Sequence, residues 1–132
     1  MIFAWLSHCM NDPEQENLIK KFSHTVAAWE RGEDRISRGA PHLILTHAPK
    51  DSPGALSACT IALTYLELAS PSLGLGACWS GFLHEASKVW APLQKALSLP
   101  EEHECFGAMM IGYPKYNYQR LPLRNEPMIS WQ

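Results

Sequence analysis

Several features that would announce a function outright are missing from this 132-residue chain. Its four cysteines, Cys9, Cys59, Cys78 and Cys105, contain no C-x-x-C pair, which excludes a zinc knuckle or an iron–sulfur cluster built within the chain. With no secretory leader they are expected to be reduced core residues rather than two disulfides. Consecutive Lys/Arg blocks are absent and the formal charge is −2 at a pI near 6.3, which removes the electrostatic basis for general nucleic-acid binding. No apolar run approaches the roughly 20 residues that cross a bilayer. The longest apolar-rich stretch, Ala55 to Ala69, is interrupted by Ser57, Thr60, Thr64 and Glu67, and is expected to be a buried soluble helix. The apolar start Met1 to Leu6 has no basic n-region and too short a core for a signal peptide, so a cytoplasmic location is the default expectation.

Familiar chemical signatures are missing as well. There is no Gly-Lys-Ser/Thr of a P-loop and no Gly-x-Gly-x-x-Gly dinucleotide fingerprint. The six histidines are dispersed, and His42 and His47 are odd-spaced on one expected strand, so they face opposite sides and cannot jointly hold a metal. No metal site is assigned. No Ser/His/Asp or Cys/His set is supported, so no catalytic residue is nominated. Trp29, Trp79, Trp90 and Trp131 are expected to be core or interface anchors rather than stacking platforms.

What is present is 46% hydrophobic residues, enough to build one compact domain over residues 1–132. Asp12 as N-cap and Pro13 at the first helical position open a helix. Leu18, Phe22, Val26 and Trp29 give it a buried stripe to about Glu30, and Gly32 closes it. A charged, solvated connector runs from Arg31 to Arg38. The β-branched run His42 to His47 predicts a strand covered on both faces. A long helix follows from Ala55 to Ala69, ended by Pro71. Leu75 to Ser80 is expected to be extended, and Phe82 to Trp90 helical, with Pro92 splitting off a second helix. Leu99 to Glu102 makes a turn, Cys105 to Gly112 a central strand, and Pro114 stops it. Residues 115–132 form an extended tail with a short strand, Met128 to Trp131. The alternation of helices and strands predicts a three-layer α/β or α+β sandwich. So few strands leave an edge that needs a partner.

Two constellations remain. In the run from Gly74 to Gly81, three glycines let backbone N–H groups approach a flat ligand closely; the same glycines also suit a plain helix-to-strand turn. In the tail, Arg120 and Arg124 flank Pro122 and could fork onto a phosphate, or simply be solvated. Composition alone decides neither.

Taken in order, Gly39-Ala40-Pro41-His42-Leu43-Ile44, Ile61-Ala62, Leu66 to Ala69, Leu73 to Trp79, Ile111 to Pro114 and Arg120 to Arg124 resemble the nitroreductase family from about Trp29 to Trp131. The resemblance implies non-covalent FMN at the interface of an intertwined homodimer, with electrons passing from NAD(P)H to nitroaromatics, quinones or similar acceptors. It implies that Cys78, Trp79, Ser80 and Gly81 lie against the isoalloxazine ring, and that Arg120, with Arg124 second, binds the phosphate. The chemistry of such a site belongs to the cofactor. The family's Arg/Ser-rich opening segment and its Pro/Ser/Asn stretch have no counterpart here. The resemblance therefore implies the C-terminal part of the family pattern, an α+β three-layer sandwich with a central mixed sheet flanked by helices, incomplete at its N-terminus. The alternative expectation is a truncated or degenerate non-catalytic relative that dimerises without cofactor.

Overall fold

The computed structural model describes residues 16–117, 119–120 and 123–131. Its elements run α1 (Glu16–Glu30), β1 (His42–Pro49), α2 (Ala55–Ala69), a 3₁₀ turn (Ser70–Leu73), β2 (Gly76–Trp79), α3 (Gly81–Val89), α4 (Ala91–Leu97) and β3 (His103–Gly112). The sheet has the order β1-β3-β2, and both pairings are antiparallel. β3 is central, as its apolar run predicts. The three described strands contain no parallel pair, so a mixed sheet is not seen among them.

Period-two alternation along β3 sends neighbouring side chains to opposite layers. On one face Ala108 joins Val26 of α1, Ile36, Leu83 and Ala86 of α3 and Leu93 of α4 in the main core. On the other, α2 packs against β3 and β1 through the stripe Ala55, Cys59 and Leu63, spaced at helical repeats of four. The result is helices on both sides of a sheet, an α+β three-layer sandwich. Pro92 lies in the first turn of α4, where its missing N–H removes no helical bond.

Five expectations change. β1 is an edge strand with Leu43 exposed and its centre only half-buried, because α2 covers one face and no strand lies on its outer side. α2 is not a buried helix: beyond its single buried stripe, Leu56, Ile61, Tyr65 and Leu68 are exposed. Trp29 leaves the α1 stripe at 47% exposure, and Thr25, Val26 and Ala28 are the buried residues there. Cys59 and Cys105 are buried thiols, whereas Cys78 is exposed on the short edge strand. Met128 to Trp131 forms no strand, since no described strand lies alongside to pair with it. The helix start at Asp12-Pro13, Cys9 and the side chains of Leu18 and Phe22 lie outside the described residues.

The connector after α1 is more than solvated chain. Asp34 Oδ1 accepts the N–H groups of Ile36 and Ser37 at 3.0 and 2.8 Å, and Oδ2 that of Gly39 at 3.1 Å. The loop so formed inserts Ile36 into the core and delivers Gly39-Ala40-Pro41 to the start of β1. Burial opposes ionisation of Asp34, but the bonds from Gly39, Ser37 and Ile36 outweigh it and hold the carboxyl below its ordinary value of 3.8. A depressed carboxyl contributes stability that is complete above the ordinary value and lost as pH falls through the depressed one. Asp34→Ala should therefore cost about 1–2 kcal/mol in urea unfolding at neutral pH. The gap to the unmodified protein should narrow below about pH 4; a pH-independent gap would remove the charge from the account.

Candidate functional site

The segment singled out in the sequence is placed by the end of α2. Ser70, fully buried, donates its hydroxyl to Leu66 O at 2.7 Å and accepts Leu75 N–H at 2.9 Å. Gly74 turns the chain at φ 70°, a left-handed conformation that a side chain disfavours. β2 then pairs Gly76 to Trp79 with Gly112 to Met109. Ser80 N–H donates to Ala108 O at 2.8 Å, extending the ladder by one bond before α3 begins.

β2 pairs with β3 alone, so its outer edge carries no strand among the described residues. Main-chain donors on that edge face outward rather than into a ladder. Alternation places Cys78 and Trp79 on opposite faces. Trp79 lies on the α2 side, where its indole Nε1 donates to Glu67 Oε2 at 3.0 Å. Beneath the ring is Gly107: a Cβ built there would stand 3.6 Å from Trp79 Cζ3 and 2.7 Å from Leu63 Cδ1. The missing side chain is what lets the indole and Leu63 settle on the sheet. Ser80 is only 3% exposed, and its hydroxyl has no hydrogen-bond partner. An unpaired buried hydroxyl costs about 1–3 kcal/mol, so it marks a place where a polar group of a ligand would be favoured.

The separate sequence segments meet at the other end of β2, around Gly76. A Cβ on Gly112 would stand 2.8 Å from Pro41 Cδ, and one on Gly76 would stand 3.5 Å from Pro114 Cβ. Pro41, Gly76, Gly112 and Pro114 therefore adjoin around the start of β2, and Cys78, Trp79, Ser80 and Gly81 follow along the strand toward its other end. Arg120 and Arg124 are not brought into it by any contact. Both are exposed in the extended tail, and neither forms an ion pair or hydrogen bond among the described residues. Glu67 and Gly107 are the residues sequence reasoning missed; the sequence singles out Ser80, but not for an unpaired buried hydroxyl. Glu67 precedes Trp79 by twelve positions, and only the turn after α2 folds it back.

A sequence model of the Nitroreductase family matches residues 3–113. The structure is similar to a crystal structure of a nitroreductase with bound FMN from Bacteroides fragilis NCTC 9343, at 19% identity and a TM-score of 0.68, covering 98% of this chain and 67% of that one. No curated protein matches.

The Glu67–Trp79 bond is directly testable. Glu67→Ala should release the indole and shift the Trp79 Nε1–H resonance toward that of a solvent-exposed tryptophan, while Glu67→Gln, whose amide oxygen still accepts, should retain most of the bonded shift. Identical spectra for the unmodified protein and the alanine variant would show that Glu67 does not hold the ring.

Proposed function

The chain belongs to the nitroreductase family, and from that premise we propose that it is an FMN-dependent oxidoreductase that works as a homodimer. The observation that carries the reading is the open edge of β2, which starts at Gly76 against Gly112 and Pro114 and ends at the unpaired buried hydroxyl of Ser80. Three properties fit a flat ligand rich in ring nitrogens and carbonyls. The outer edge of β2, with Cys78 and Trp79, carries no strand among the described residues. Ser80 retains an unsatisfied hydroxyl, and the Trp79 ring is fixed at the rim by Glu67. The FMN of the Bacteroides fragilis nitroreductase is a ligand of that type.

In this reading Cys78, Trp79, Ser80 and Gly81 hold and orient the isoalloxazine ring, and Arg120, seconded by Arg124, supplies the fork for the phosphate. Bound FMN supplies the redox chemistry, carrying electrons from NAD(P)H to nitroaromatic, quinone or similar acceptors. The protein's own work is positioning and electrostatics. No side chain is asked to act as acid or base.

The second copy is supported by what α2 leaves uncovered. Ile61, Tyr65 and Leu68 recur at spacings of four and three on the side opposite the buried stripe, and Tyr65 and Leu68 are 71% and 73% exposed. A second apolar stripe left on the surface gains burial against another subunit. Leu123, Met128, Ile129 and Trp131 of the tail are likewise exposed, and an extended apolar arm gains burial by lying on a neighbouring subunit. Arg120, in the same tail, would then reach a flavin that its own subunit does not contact.

Two measurements check the proposal. Titration of the purified protein with FMN should quench flavin fluorescence at micromolar cofactor, and Arg120→Ala should weaken binding by about 1.5–3 kcal/mol, the worth of a charge-assisted bond to phosphate. A colourless protein that leaves flavin fluorescence unchanged would reject the flavoprotein reading and leave the non-catalytic dimer. Light scattering should give twice the chain mass, and Leu68→Glu should shift the population toward monomer by burying a charge in the contact. A monomeric unmodified protein would reject the homodimer independently of FMN.

A further inference from the structure

Far from Trp79, the other end of the sheet holds a pair of histidines that the site described above does not use. His47 Nδ1 of β1 lies 2.9 Å from His103 Nδ1 of β3, with ring centroids 5.0 Å apart and ring planes at 58°. The pair exists because of a β-bulge. Register runs from Thr46 opposite Gly107 to His47 opposite Cys105, so Phe106 is the extra residue. A one-residue shift exchanges faces. In unbroken register His47 would share a face with Glu104; with the bulge it shares one with Cys105 and His103. Re-aiming a side chain is a recurrent use of such irregularities.

We propose that His47 and His103 chelate one divalent transition-metal ion through their Nδ1 atoms, with water in the remaining positions. Each neutral imidazole offers one lone pair. Without a metal one Nδ1–H donates to the other Nδ1 at 2.9 Å; moving that proton to Nε2 leaves both Nδ1 lone pairs for a cation. A cation in front of both replaces that one hydrogen bond with two metal–nitrogen bonds. At metal–nitrogen distances of roughly 2.0–2.1 Å, cis ligands at a right angle are about 2.9 Å apart, whereas tetrahedral ligands are about 3.4 Å apart. The observed spacing therefore suits the right-angled coordination of Ni²⁺ or Cu²⁺ better than tetrahedral Zn²⁺. Solvent reaches the pair, so water can complete the shell. Cys105 is directed elsewhere, its thiol donating to Gly107 O at 3.3 Å. Among the described residues no third His, Cys, Asp or Glu joins the two.

The ion would tie β1 to β3 across the bulge. His103 stands six positions along β3 from Met109, the partner of Trp79, so the two sites are roughly 20 Å apart at about 3.3 Å per residue. Metal binding here is independent of any flavin.

Ni²⁺ is the better probe, because Cu²⁺ would oxidise the exposed Cys78 thiol. Calorimetric titration of the full chain with Ni²⁺ should show one equivalent bound, and ¹⁵N NMR should show paramagnetic broadening centred on the amides around His47 and His103. His47→Gln and His103→Gln should each weaken binding at least tenfold, since either change reduces a chelate to a single ligand. Absence of binding, unchanged affinity in either variant, or broadening centred on other histidines would overturn the assignment.

Discussion

The ladder from His103 to Gly112 is the interaction on which the rest of the fold depends. β3 commits both of its edges, pairing with β1 along nearly its whole length and with β2 at its C-terminal end. Both of its faces are committed too, Ala108 to the cluster of α1, α3 and α4, and Gly107 to Leu63 of α2. Among the described elements β3 contacts both other strands and helices of both layers. A strand so enclosed has to be apolar and closely fitted, and residues 105 to 111 are almost all buried. Its two glycines sit where neighbouring groups press closest, Gly107 under Leu63 and Trp79, Gly112 against Pro41.

That central strand also explains why polar groups at the end of β2 are left in an unusual condition. Ser80 spends its N–H on Ala108, which fixes the hydroxyl below the surface without giving it a partner. Trp79 is held from both sides, by Glu67 at its nitrogen and by the bare backbone of Gly107 beneath its ring. One group is thus unsatisfied and the next is immobilised, within two consecutive residues. Rigid placement of that kind is what a binding constellation needs from its scaffold.

Much of this was legible in the sequence wherever a local rule decided the outcome. Pro92 had to open a new helix, Pro71 and Gly74 had to end the long one, and the apolar run before Tyr113-Pro114 had to be a central strand. The ordered motifs around Pro41, Gly76 and Gly112 pointed to the right fold family even though no single one was specific. The misses share a physical cause: hydrophobicity states that a surface is to be covered, but not by what. Ala55 to Ala69 looked buried because nearly every position is apolar, yet this chain covers one stripe of it. Leu43 and Trp29 fail for the same reason. The His47–His103 pair was invisible for a different one, since strand alternation assigns faces only while register is unbroken, and a single bulge at Phe106 reverses the assignment. Glu67 and Trp79 meet only after the chain has turned through Ser70 to Gly74.

The open edge of β2 has a consequence for solubility. Unpaired strand donors attract any extended chain, and proteins normally blunt such edges with charge, proline or a covering loop. Gly76-Ala77-Cys78-Trp79 carries none of these on its own four residues. A ligand held by those N–H groups would occupy the positions that a foreign strand needs, so occupancy and edge-to-edge association would be mutually exclusive. A bound cofactor would then act as the sheet's terminal cap, shielding the protein from aggregation in addition to whatever reaction it carries out.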